Sequence, residues 1–255
     1  MPLRPLLALS CLLTTAAFAA DLPAIPKDSI ARKKELLFSD DFQGATLDAK
    51  WHNVVPTFAV ENGTLKGTQT RDQNIPAADG KPAVTAHAAV YGLELPTKDS
   101  VVEVKIRFEG NTMMDVEFDD RKFEGSHYGH LCRAQVRLDK QQVTILDERD
   151  GTQSNKLIEL RKDAAANKDE INKLLSTHSA TFPSPKLEAG KWYTLVVETV
   201  GEAMRVTLDG QPVAYFQSPR HRPRHQVQDR TRRPRQERPL RRHQSLERRA
   251  GEVAR

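Results

Sequence analysis

Short runs in which apolar and polar side chains alternate recur from residue 35 to residue 216. A repeat of two belongs to a strand with one face buried and the other wet. Glu35-Leu36-Leu37-Phe38 opens the series. Phe58-Ala59-Val60 and Thr64-Leu65-Lys66 flank Glu61-Asn62-Gly63, and Asn-Gly is a strong hairpin signal. Further strands are expected at 88–95, 101–108, 113–118, 131–138, 142–146, 192–200 and 204–208, the last turning at Asp209-Gly210 into 213–216. Regular short strands separated by such turns define a mainly β fold, an antiparallel jelly-roll or concanavalin-like sandwich. One segment breaks the rhythm. Residues 157–178 are rich in Ala, Lys, Glu and Leu, and Ile171, Leu174 and Leu175 are spaced for one helical face. An inserted helix is expected there, capping an open end of the sandwich or lidding a cleft.

The two ends differ from this middle. Residues 1–20 read as a secretory signal peptide: Arg4, an apolar run from Leu6 to Phe18, and Ala17-Phe18-Ala19 as an A-x-A cleavage site. The run is too short to span a bilayer, and no other window is long enough either. The mature protein is therefore expected in the periplasm or outside the cell. Removing the leader takes Cys11 with it and leaves Cys132 without an intrachain partner. Cys132 alternates with apolar neighbours, so it is expected to act as a small buried hydrophobe. The remaining 21–219 are long enough for one domain with a substantial core.

From Arg220 onward the composition changes. The last 36 residues hold thirteen Arg and no Lys, whereas residues 1–219 hold sixteen Lys and ten Arg. The tail has no Phe, Tyr, Trp or Ile. Before the break 26 basic residues face 30 acidic ones, a net −4; after it 13 face 4, a net +9. A basic arm, a nucleic-acid or membrane patch, and translation in the wrong frame all fit such a composition. The genetic code favours the last. With one base dropped at Arg220, the tail is compatible with GIGHATKSKIELGV, a short gap, and GKNGLFDDIKVWNA. That string supplies two strands suited to a β-sandwich. Without aromatics to stack on bases, the tail as written is not expected to bind nucleic acid.

The densest polar cluster lies at Asp115-Val116-Glu117-Phe118-Asp119-Asp120-Arg121-Lys122, followed by Glu124, His127, His130 and Arg133. On a strand, Asp115, Glu117 and Asp119 share one face and Met114, Val116 and Phe118 the other. Three carboxylates on a concave face suit glycosidic hydrolysis, since mutual repulsion raises at least one pKa and separates an acid from a nucleophile or base. Asp115, Glu117 and Asp119 are thus the candidate catalytic residues. Arg121, His127, His130 and Arg133 are the candidate sugar-binding residues, the arginines through forked hydrogen bonds. The same carboxylates could hold a divalent cation such as Ca²⁺. His127 and His130 form an H-x-x-H pair, a weak metal signal without a third ligand, and joint metal binding is not expected. A merely solvated polar face remains the third option. Trp51 and Trp192 sit beside apolar strand residues and are expected in the core.

Phe38-Ser39-Asp40-Asp41-Phe42 with Trp51, the Val60-Glu61-Asn62-Gly63-Thr64-Leu65 hairpin, and Gly190-Lys191-Trp192-Tyr193 leading to Val206-Thr207-Leu208-Asp209-Gly210 form a pattern. It resembles the 3-keto-disaccharide hydrolase domain family, concanavalin-like jelly rolls of secreted bacterial proteins within the laminarinase-like glycoside hydrolases. The resemblance spans roughly residues 36–219. It implies a secreted carbohydrate-active protein acting on glycosides, with a non-catalytic carbohydrate-binding or surface interaction module of the same fold as the alternative. The middle departs from the family, carrying His127-Tyr128-Gly129-His130 in place of its asparagine–serine–glycine turn. The carboxylate ladder also has Asp and Glu swapped relative to laminarinase-type enzymes, which shortens its outer two arms.

The frame argument is testable on the protein itself. The 255-residue chain is expected to express poorly, because a sandwich lacking its closing strands keeps unpaired edge groups. Each such group costs ~1–3 kcal/mol if buried, against a domain stability of about 5–15 kcal/mol. A chain carrying the alternative-frame tail should be soluble and melt cooperatively. Cooperative, monomeric melting of the chain as written, with no gain from the shifted tail, would show the Arg-rich arm to be genuine.

Overall fold

Alternation becomes sheet through pairing. A computed structural model describes residues 22–218, apart from positions 45, 54 and 56. The leader, the Arg-rich tail and its alternative-frame strands lie outside the described residues. β1 (Trp51–Asn53) pairs with β4 (Tyr91–Leu93), and β2 (Phe58–Glu61) pairs with β3 (Thr64–Gly67). The second hairpin closes as its Asn-Gly demands, with Asn62 and Gly63 both left-handed at φ 51° and 67°.

Two four-stranded antiparallel sheets carry the rest. The first comprises β5 (Ser100–Arg107), β10 (Trp192–Val200), β11 (Ala203–Leu208) and β12 (Gln211–Gln217), in the order β12-β11-β10-β5. The second runs β6-β7-β8-β9 in chain order: β6 (Met113–Asp119), β7 (His130–Arg137), β8 (Gln142–Asp147) and β9 (Ser179–Pro183). Their inner faces meet in one cluster. Ile106, Tyr193, Leu195, Val197, Met204 and Val206 come from the first sheet, and Phe118, Cys132, Ala134, Val136, Val143, Ile145 and Phe182 from the second. This is the expected antiparallel, jelly-roll-like sandwich. Cys132 is fully packed, and burial pushes its thiol well above the usual range.

The outer face of the first sheet is covered by the chain's own N-terminal segment. Arg205 Nε and Nη2 donate to the carbonyls of Pro26 and Lys27 at 2.9 and 2.8 Å, and the Ile30 amide donates to Glu198 Oε2 at 3.0 Å. Beneath this strap Arg205 and Glu198 form an ion pair of 3.3 Å with each side chain 5% exposed.

Several expectations need correction. The segment 35–38 forms no strand, and 88–95 shortens to β4. The short strands β1 and β9 were not anticipated. The inserted helix is broken in two: α1 (Asn155–Leu160), a 3-10 turn Arg161–Asp163, then α2 (Lys168–Thr177). Asp163 Oδ1 accepts from the Ala166 amide, and Asn167 Nδ2 donates to the Leu160 and Asp163 carbonyls. These local bonds compete with the helical ladder and interrupt it. Ile171, Leu174 and Leu175 still share the half-buried face. Trp192 is 42% exposed rather than in the core, with the Arg107 guanidinium 4.6 Å from its ring. Trp51 is half-buried in an aromatic cluster with Phe38, Phe42 and Tyr91. Among the described residues, no helix is long and apolar enough to cross a membrane.

Removing one member of a buried ion pair strands the other charge, at roughly 3–5 kcal/mol. Glu198→Ala is therefore expected to lower the unfolding free energy by about that amount in urea melts. A change below about 1 kcal/mol would show that the strap does not hold a desolvated charge.

Candidate functional site

The polar cluster lies on the outer face of the second sheet. β6 turns Val116 and Phe118 inward and leaves Asp115, Glu117 and Asp119 on the opposite face, as alternation requires. On β7, Gln135 stands opposite Asp115 and Arg133 opposite Glu117. A register shift between Phe118 and Asp119 then brings His130 opposite Asp119. A bulge of this kind re-aims side chains, and here it directs an imidazole at two carboxylates.

Arg133 sits at the centre. Its Nη1 donates to Asp115 Oδ2 at 2.9 Å, while its Nη2 lies 2.5 Å from Glu148 Oε1 and 3.5 Å from Glu117 Oε1. His130 Nδ1 is 2.9 Å from Asp119 Oδ1, a hydrogen bond, and 2.6 Å from Glu117 Oε1, an ion pair without hydrogen-bond alignment. Glu148 follows β8 in the π-helical turn Glu148–Thr152. Its side chain is 1% exposed, and Thr152 Oγ1 donates to its Oε1 at 3.2 Å.

These contacts set the proton affinities. Burial raises the Asp115 carboxyl against the pull of Arg133. Burial also pushes Glu117 upward, but its close contact with His130 and the Arg133 charge outweigh it, and the net shift is down. Glu148 is pushed up to about 7, chiefly by burial and further by Glu117, with Arg133 opposing. For His130 burial acts downward, yet Asp119 and Glu117 override it and push the imidazole up to about 10.

Asp115, Glu117, Asp119, His130 and Arg133 are thus brought together. His127 lies at the rim, its ring 5.9 Å from that of His130. Arg121 points elsewhere: its guanidinium contacts His52 of β1 and lies 3.5 Å from Glu94, just past β4. Two residues were missed. Glu148 lies 31 positions from Glu117, and only the β7–β8 pairing delivers it. Tyr128, in the 3-10 turn His127–Gly129, is 79% exposed and left-handed at φ 48°, an uncommon state for a bulky residue. Gly129 follows at φ 79°, and any Cβ there would collide with the Asp120 carbonyl. Tyr128 packs edge-on against His127, with ring centroids 4.4 Å apart.

No family model matches this chain, and no curated protein matches it in sequence. Among solved structures it overlaps the carbohydrate binding module CBM66 from Bacillus subtilis at 14% identity and a TM-score of 0.41. The overlap covers 68% of this chain and 83% of that one. A likeness this loose transfers neither a ligand nor a site.

Above pH 4.5 the pH dependence of stability follows chiefly from two strongly raised groups, Glu148 and His130. A folded-state pKa above the unfolded one means that folding takes up a proton, so stability is fully present below the unfolded pKa and is lost as pH rises through the folded one. Glu148 therefore acts between its ordinary 4.5 and about 7, and His130 between 6.5 and about 10. Melting temperature should fall with rising pH across both windows. Glu148→Gln should flatten the lower window and His130→Gln the upper one. A pH profile unchanged by either substitution would contradict this network.

Proposed function

We propose that this chain is a secreted carbohydrate-recognition domain that reads hydroxyl-rich ligands with the ladder face of its second sheet. One observation carries the reading: Asp115, Glu117 and Asp119 are each held by Arg133 or His130, beside an exposed Tyr128 with a left-handed backbone. An ionised carboxylate accepts several hydrogen bonds, so oxygens already fixed by one cation keep lone pairs for sugar hydroxyls. Asp119 and Glu117 are 42% and 23% exposed at their side chains, enough for contact from solvent. Tyr128 offers a ring face for the apolar side of a pyranose, and its hydroxyl a polar end.

Hydrolysis is the second reading. It is favoured by the Glu117–Glu148 pair, whose environments push one carboxyl down and the other up to about 7. Such divergence marks acid and base roles in glycosidases, and the motif resemblance to 3-keto-disaccharide hydrolases points the same way. Against it stands access. A general acid must come within hydrogen-bond reach of the glycosidic oxygen, and the Glu148 side chain is 1% exposed and bound to Arg133.

Native electrophoresis through gels containing soluble polysaccharides tests both readings. The protein should be retarded by at least one polysaccharide without releasing reducing sugar. Asp119→Ala should weaken the binding about tenfold, the equivalent of one net hydrogen bond to a charged group at ~1.4 kcal/mol. Release of sugar that Glu117→Gln abolishes, with binding retained, would establish the hydrolase instead.

A further inference from the structure

The ladder carries more negative charge than its fixed cation balances. Asp115, Glu117 and Glu148 gather around one permanent positive group, Arg133, while Asp119 lies against His130. Glu148 is wrapped in protein, its carboxyl abuts Glu117, and its Oε2 has no hydrogen-bond partner. A carboxyl withdrawn from water in this way either keeps its proton or calls for a counter-ion. A specific donor set lies beside it. One oxygen each from Glu117 and Asp119 and a ring nitrogen of His130 lie within 4.8 Å of one another. His130 Nδ1 already stands 2.9 Å from Asp119 Oδ1.

We propose that Glu117, Asp119 and His130 form a divalent transition-metal site, with Mn²⁺ or Zn²⁺ as the fitting class of ion. Bonds of about 2.0–2.2 Å to oxygen and nitrogen place neighbouring ligand atoms roughly 3 to 3.5 Å apart. The three donors reach that spacing through small side-chain adjustments, without movement of β6 or β7. The nitrogen donor decides the class. Ca²⁺ takes oxygen ligands, whereas imidazole together with carboxylate suits manganese, zinc and iron. On loading, the ion replaces the proton of Nδ1, which leaves to solvent. Two carboxylates and a neutral imidazole then match its two positive charges. His127 is not a ligand in this arrangement, and the proposal does not depend on sugar recognition.

The experiment uses the full chain and the metal ions alone. Mn²⁺ or Zn²⁺ at micromolar to millimolar concentrations should raise the melting temperature. The affinity measured by titration calorimetry should fall at least tenfold in Asp119→Asn and in His130→Gln, with folding of both checked by circular dichroism. Electron spin echo spectra of the Mn²⁺-loaded wild type should show coupling to a directly bound ¹⁴N, and His130→Gln should abolish it. That wild-type spectrum keeps the test decisive if a variant fails to fold. No binding of either ion, Mn²⁺ without ¹⁴N coupling, affinity retained in both variants, or affinity lost in His127→Ala but kept in His130→Gln would each overturn the proposal.

Discussion

A guanidinium cannot shed its proton to escape burial, so a partly buried arginine forces its surroundings to supply negative charge. Arg133 projects from the inner strand β7 and draws that charge from three places: Asp115 and Glu117 on β6, and Glu148 beyond β8. Three successive strands are thereby joined on the outer face while apolar packing joins them on the inner one. Neighbouring groups adjust in turn. Glu148, desolvated and close to Glu117, holds its proton up to about 7, and Glu117 is kept ionised by the two cations beside it.

The first sheet meets the same requirement differently, and the contrast shows why the candidate site lies where it does. Arg205 and Glu198 are a matched pair, covered by the N-terminal strap and satisfied by backbone carbonyls and an amide. One cation meets one anion there, and the strap occupies that face. On the second sheet several carboxylates compete for Arg133 and His130, and Asp119 remains accessible at the rim. Surplus acceptors and open access support the recognition surface proposed for this face, whereas the Arg205 pair has the features of a structural one.

Much of this was legible in the residues. Strands β5–β8 and β10–β12 alternate clearly, and the same alternation correctly separated Asp115 and Glu117 from Val116 and Phe118 and buried Cys132. What stayed hidden depends on contacts distant in sequence or on local competition. β9 is five residues long and ends in Pro183, a residue tolerated at a sheet edge but one that weakens a strand signal. Residues 35–38 are apolar enough to read as a strand but pair with none among the described residues. The helix break depends on side-chain bonds from Asp163 and Asn167 that an apolar period does not register. Glu148 reads as a turn residue until β7 and β8 are paired, and nothing in the composition of His127-Tyr128-Gly129-His130 announces that Tyr128 is left-handed.

Exchange of Asp and Glu along the ladder has a consequence that geometry makes concrete. An aspartate is one methylene shorter than a glutamate, so Asp115 and Asp119 remain close to the sheet, where Arg133 and His130 meet them at 2.9 Å each. Glu117, the longer arm between them, lies 2.6 Å from the imidazole and 3.5 Å from the guanidinium. A laminarinase-type ladder places its long arms at the two outer positions; this one has its long arm in the middle, between two cations. The result is a lattice of fixed acceptors rather than two carboxyls facing each other across a gap. That order of side-chain lengths, more than the number of carboxylates, is what supports the proposed recognition role over a hydrolytic one.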